Sequence, residues 1–229
     1  MIVDVIIPAL NEERALPKVL ADVPRPPVRR VVVADNGSTD RTAEVARAGG
    51  AEVVHEVEKG YGAACLLALA HLEADPPDVV VFLDGDYSDH PEELPSLLAP
   101  LATGADLVIG SRTRGALRRG ALTPQQRAGN AVACVALRVL YGARYSDLGP
   151  FRAIRWDALQ RLGMKDRNWG WTVEMQIKAA QQGLVHAEVP VSYRPRIGES
   201  KVSGTVRGTL GASWKILWLL ARHAGGARP

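Results

Sequence analysis

The stretch that most constrains this chain is Val79-Val80-Val81-Phe82-Leu83, followed at once by Asp84-Gly85-Asp86. A short, unbroken, β-branched apolar run reads as a strand buried on both faces, as in a parallel sheet. Asp84 and Asp86 then stand at its carboxyl end, where open α/β sheets bind ligands. If the backbone is still extended there, residues two apart share one side. Two carboxylates on one side repel unless a cation lies between them. Oxygen ligands without Cys or His suit a hard ion, Mg²⁺ or Mn²⁺. The alternative is a plain turn, since Asp and Gly are common turn formers.

The rest of the chain repeats the theme. Strand patterns over 3–8, 30–34, 51–57, 79–83 and 106–110 alternate with helical patterns over 11–21, 41–48, 59–73 and 91–101. Such alternation predicts an α/β fold, a mostly parallel sheet with helices on both faces. Asn11 is placed to cap the first helix, with Glu12 and Glu13 in its first turn. Thr123-Pro124-Gln125-Gln126 predicts a capping box opening a helix to about 140. A short strand ending at Ile154, helices over 156–162 and 172–182, a strand over 185–191 and a loop over 194–204 follow. The tail over 205–223 reads as a helix with an apolar band.

Hydrophobic residues make up 47% of the 229, enough for a sizeable core. The formal net charge of +3 is unevenly spread, with arginines thickening after Gly110, so the second half is expected to face an anion. Cys65 and Cys134, both in apolar stretches, read as buried free thiols. Met1 leads directly into a strand pattern and no apolar run is long enough to span a bilayer. A cytoplasmic protein is expected.

Asn11-Glu12 and Asp35-Asn36-Gly37-Ser38 also follow strands, and in a parallel sheet those ends share an edge with Asp84 and Asp86. Neither a Gly-x-Gly-x-x-Gly nor a P-loop is present, which argues against a dinucleotide oxidoreductase and a P-loop nucleotidase. Lys59-Gly60-Tyr61-Gly62 at a helix start either offers a cation and N–H groups to a phosphate or is a Gly-rich connector.

Taken together, Ile6-Ile7-Pro8-Ala9-Leu10-Asn11-Glu12-Glu13, Ala34-Asp35-Asn36-Gly37-Ser38-Thr39-Asp40, Lys59-Gly60-Tyr61-Gly62, Leu83-Asp84-Gly85-Asp86 and Val108-Ile109-Gly110-Ser111-Arg112 resemble the ordered motifs of family 2 glycosyltransferases. Asp147-x-Gly149-Pro150-Phe151-Arg152-Ala153 and Arg196-x-Gly198-x-Ser200-Lys201 resemble later motifs of its polyprenyl-phosphate (dolichyl-phosphate) sugar synthase branch. The resemblance implies one GT-A domain, with residues 1–112 holding the nucleotide sugar and metal and 113–229 the acceptor. It implies donor contacts from Pro8, Leu10, Asn11, Glu12, Asp35, Gly37, Ser38, Lys59, Gly62, Asp84 and Gly85, and a metal on Asp84 and Asp86. Two departures stand out: Asp35-Asn36 replaces the Asp-Asp of many relatives, and the carboxy-terminal membrane spans many carry are missing.

The implied reaction is an inverting hexose transfer from a UDP- or GDP-sugar to a polyprenyl phosphate at the cytosolic membrane face. Asp86, Arg112 and Glu174 are the expected catalytic residues. Arg112, Arg127, Arg152, Arg196, Ser200 and Lys201 are the candidates for the acceptor phosphate, because Arg binds phosphate bidentately. Two alternatives stay open. One is a soluble enzyme with a hydroxyl acceptor, with Glu174 or Asp147 as base. The other is a catalytically silent sugar-nucleotide-binding scaffold. The tail reads equally as a membrane-surface helix, a packed helix or a dimer contact. No nucleic-acid partner is expected, and the oligomeric state is open.

Overall fold

The computed structural model describes residues 1–198 together with Trp218 and Arg222. Apart from Trp218 and Arg222, the predicted tail helix lies outside the described residues, as do Ser200 and Lys201. Among those residues the order is β1 (Val3–Ala9), α1 (Leu16–Asp22), β2 (Val28–Asp35), α2 (Thr42–Ala48), β3 (Glu52–His55), α3 (Tyr61–Leu72), β4 (Val79–Phe82), α4 (Leu94–Ala102) and β5 (Leu107–Ser111). Then come α5 (Pro124–Tyr141), β6 (Arg152–Arg155), α6 (Trp156–Leu162), α7 (Trp171–Gln181) and β7 (His186–Pro190). The described strands form one sheet of order β3-β2-β1-β4-β6-β5-β7. β6 runs antiparallel to both its neighbours, β4 and β5, while the other pairings are parallel.

Helices cover both faces, as the alternation predicts. Alternate residues of each central strand serve opposite cores. Val5, Ile7, Val31, Val33, Val79 and Val81 pack with α1 and α4. Ile6, Val32, Val80, Phe82, Leu107 and Ile154 pack with α3, α6 and α7. Burying both faces is why these strands are Val/Ile runs and not polar–apolar alternations. Asp4 breaks the apolar phase in β1, and its fully buried carboxylate is held by Arg29 at 2.7 Å and Arg30 at 2.9 Å. The capping box at Thr123 forms as predicted, with Gln126 N–H donating to Thr123 Oγ1 and Thr123 N–H to Gln126 Oε1. Cys65 and Cys134 are buried free thiols.

One boundary differs in kind. α1 starts at Leu16, and Asn11 does not cap it. Asn11 is left-handed, with φ of 54°, a conformation Asn tolerates among non-glycine residues. It ties its loop to the next strand end instead. Its side-chain oxygen accepts the Thr39 N–H at 2.8 Å, and its own N–H donates to Ser38 Oγ at 2.9 Å.

Candidate active site

The carboxyl ends of β1, β2 and β4 open into a cleft of about 620 Å³. Pro8, Leu10, Glu12, Asn36, Lys59, Tyr61, Asp84, Gly85 and Asp86 line it from the first half of the chain, and Tyr193 and Arg196 from the second. The premise of an extended Asp-Gly-Asp does not hold. β4 ends at Phe82, Gly85 and Asp86 lie in a turn, and Tyr87 has a φ of 64°. Both carboxylates nevertheless line the cleft.

Their surroundings differ. Asp86 is buried; its Oδ1 accepts the Ser88 N–H at 2.8 Å and the Ser88 hydroxyl at 2.5 Å, and its Oδ2 meets the Arg196 guanidinium. Asp84 accepts from the Tyr61 hydroxyl at 3.0 Å. Burial, and after it the charge of Asp86, push the Asp84 carboxyl up to about 7. Asp89 lies just behind, 1% exposed, with neither carboxylate oxygen hydrogen-bonded to a described residue. Its pKa also rises, through burial and then through Asp84 and Asp86. Like charges gathered this closely leave a deficit of positive charge, which Arg196 meets only in part. Among the described residues no group of three His, Cys, Asp or Glu side chains converges to hold a metal ion alone.

Arg196 reaches Asp86 because its segment runs beside the turn after β4. Ile197 N–H donates to the Asp86 carbonyl at 2.9 Å, and Arg194 N–H to that of Ser88 at 3.0 Å. Arg112 also lines the cleft. Its Nε and Nη2 donate to Asp147 at 2.8 and 2.7 Å, and its guanidinium stands 5.0 Å from the Tyr193 ring centre. That buried pairing pushes its pKa up further and fixes a permanent charge in the wall.

Several expected site residues serve elsewhere. Arg152 is fully buried and donates to the carbonyls of Leu148, Gly149 and Thr172, so it cannot reach an acceptor phosphate. Burial lowers its pKa to about 10, which leaves it charged at neutral pH. Glu174 is buried outside the cleft, accepting the N–H groups of Lys165 and Asp166 and pairing with Lys178 at 2.8 Å. It organises the turn before α7 and cannot act on a sugar. Arg127 is exposed on α5 and is not part of the cleft wall.

Asp35, Ser38 and Asn11 bond between neighbouring loops, and neither they nor Gly37 line the cleft. Asp35 accepts from the Ser38 N–H at 3.1 Å and contacts His55 Nδ1 at 3.1 Å. Gly62 does not present its N–H to a ligand either. It donates to the Asn168 carbonyl at 3.2 Å, the next N–H, of Ala63, to that of Arg167 at 2.9 Å, and Gly60 N–H to Asn36 Oδ1 at 2.7 Å. The start of α3 is therefore already occupied by protein. Lys59 stays at the cleft wall.

Sequence reasoning passes over Tyr61, Ser88 and Tyr193 as site residues. Tyr61 sits inside a motif already singled out. Ser88, two residues beyond Asp86, is signalled only by that spacing, and nothing local marks Tyr193. Asn36 has a sharper role than its place in the motif suggests. Its Nδ2 donates to the carbonyl of Glu58 at 2.7 Å and, weakly, of Glu56 at 3.4 Å. An Asn36→Asp change sets a carboxylate against those carbonyls. We expect a loss of about 1–3 kcal/mol from the unmade donors, read as a lower thermal midpoint.

Comparison with known proteins agrees with this geometry. The model of the family described as "Glycosyl transferase family 2" matches residues 4–170. An uncharacterized glycosyltransferase of Mycobacterium tuberculosis is 42% identical over 220 residues, covering 94% of this chain and 97% of that protein. A dolichyl-phosphate hexose transferase of Haloferax volcanii is 39% identical over 201 residues, covering 86% of this chain and 85% of that protein. Among solved structures, glucosyl-3-phosphoglycerate synthase of Mycobacterium tuberculosis, in complex with Mn²⁺, UDP and phosphoglyceric acid, superposes with a TM-score of 0.78 at 26% identity. That match covers 99% of this chain and 80% of the synthase. No described helix is long and apolar enough to cross a membrane. By the family match, its relatives and the GT-A architecture, the chain belongs to glycosyltransferase family 2 and is a glycosyltransferase.

Proposed function

We propose that the enzyme transfers a hexose from a UDP- or GDP-sugar to a polyprenyl phosphate at a membrane face, with inversion. Residues 1–112 would supply the donor side of the cleft and 113–229 the acceptor side, Arg196 among them, with Arg112 at the boundary between the two. Asp84 and Asp86 would hold Mg²⁺ or Mn²⁺. The acidic cluster fits such an ion, since Asp84, pushed up by burial and then by Asp86, stands beside Asp89, whose oxygens bond no described residue. When bound, the ion would offset charge on the leaving nucleoside diphosphate.

The observation that carries the choice of acceptor is the state of the two candidate bases. Glu174 is consumed by two backbone N–H groups and Lys178, and Asp147 by Arg112. Neither lines the cleft. A phosphate acceptor needs no base, because a phosphate monoester is largely dianionic at pH 7. One of its oxygens attacks the anomeric carbon while the bond to the diphosphate breaks and the diphosphate leaves with its electrons. Arg112, held by Asp147, would orient the acceptor dianion, and Arg196 would exchange Asp86 for a phosphate oxygen.

A second reading is a soluble acceptor, favoured by the likeness to a synthase crystallised with phosphoglyceric acid. The test is a screen of the full chain with Mn²⁺ or Mg²⁺, UDP-, GDP- and TDP-sugars and a polyprenyl phosphate, read by mass spectrometry. We expect a lipid-linked hexose with one donor, lost on chelation. Donor turnover only with a soluble hydroxyl acceptor would replace the first reading by the second, and donor binding without any transfer would leave a scaffold.

A further inference from the structure

The helix α5 carries two apolar faces, and the fold uses one. Ala133, Cys134 and Leu137 are buried. On the outside Val132, Val135 and Val139 are 56%, 61% and 71% exposed, with Leu140 beside them. Spacings of three and four residues put these valines in one stripe. Such a stripe on a helix otherwise facing water calls for an occupant.

Charge identifies it. From 107 to 146 the chain has seven arginines and no Asp or Glu. Arg112 pairs with Asp147 and Arg114 with Glu188. Arg118, Arg119, Arg127, Arg138 and Arg144 are exposed, and none is paired with a carboxylate among the described residues. An apolar stripe flanked by exposed arginines is the pattern of a helix lying in the interface of an anionic bilayer. A second copy of the chain fits poorly, because a two-fold contact through this face would bring the arginines against their own copies. The position also suits the purpose. The first turns of α5 line the cleft through Gln125, Gln126, Gly129 and Asn130, and the stripe continues from there along the same helix.

We propose that α5 and the basic loop before it are the surface on which the enzyme docks to an anionic lipid bilayer, so that the cleft mouth meets a lipid-borne phosphate. The proposal takes its purpose from the polyprenyl-phosphate reading, whereas the docking surface is tested without any substrate. The purified full chain is floated with vesicles of phosphatidylcholine alone, or with about one-third phosphatidylglycerol. Binding is expected to the anionic vesicles, and to weaken as salt is raised. A Val132→Ser/Val135→Ser/Val139→Ser variant should bind about 10- to 100-fold more weakly. Arg118→Gln/Arg119→Gln/Arg138→Gln should reduce binding similarly, and its changes lie in exposed positions that leave the fold intact. Both variants should keep turnover on a short, water-soluble polyprenyl phosphate.

Unchanged binding in both variants overturns the proposal, as does equal, salt-independent binding to neutral vesicles. So does a serine variant that turns a dimer into a monomer without loss of vesicle binding. Vesicle binding lost in the variants, with no lipid product from the native enzyme, would keep the docking surface and remove the polyprenyl acceptor instead.

Discussion

Asp86→Ala should lower turnover by about 10³-fold or more, the scale of removing a charge-stabilising group from a transfer site. The protein should still fold. Asp86 accepts two bonds from Ser88 and holds Arg196, but it also raises the pKa of Asp84 and Asp89 by repulsion. Removing it sacrifices the bonds and relieves the repulsion, so the thermal midpoint should move by only a few degrees. The decisive comparison is the rise in midpoint on adding Mn²⁺ with UDP. The native enzyme should show it and the variant should not. A variant that keeps both turnover and this rise would remove Asp86 from the metal site.

Gly62→Ala should be severely damaging for the addition of a single methyl group. A Cβ there would stand 1.9 Å from the Asp166 carbonyl oxygen and 2.9 Å from the Arg167 carbonyl carbon, both backbone atoms. Neither can swing aside as a side-chain tip can. The start of α3 must part from the 166–168 loop, losing the N–H bonds of Gly62 and Ala63. Overpacking plus two lost bonds costs about 3–4 kcal/mol, less the better helix propensity of Ala. Donor affinity should fall with stability, because Lys59, Tyr61, Asn168 and Trp169 line the cleft on either side of that junction. If Gly62 instead served only to offer its N–H to a ligand, Ala would keep that N–H and the midpoint would not move. Thermal melts with and without UDP separate the two cases.

Much of this architecture is legible because the physics behind it is local. Runs such as Val79-Val80-Val81-Phe82 report burial on two faces, and Thr123 with Gln126 spells out its own cap. The acidic turn after β4 is visible as two carboxylates in sequence. What escapes is set by partners far along the chain. Arg112 and Arg152 look alike within their motifs, yet Arg112 ends on a cleft wall and Arg152 beneath three carbonyls. Glu174 has the acidic first-turn signature of a helix and also the look of a catalytic carboxylate. Only the turn over 164–166, folding back on it, decides between them. Asn11 has the chemistry of a cap, but Thr39 and Ser38, about 28 residues away, claim its side chain and N–H. The antiparallel course of β6 is equally invisible from its four residues.

That last strand has a consequence for how the chain comes together in time. β4 and β5 lie on either side of β6 and have no ladder between them until it arrives. A growing chain that has released β1 to β5 therefore carries three apolar strand edges, one on β4 and both on β5, with nothing to close them. At ordinary synthesis rates the missing strand follows on the order of seconds later. During that interval the open edges are the natural target of a chaperone or of another nascent chain. The same insertion makes the sheet built from the first half of the chain depend on a strand from the second half for its closure, so the two halves fold as a single unit.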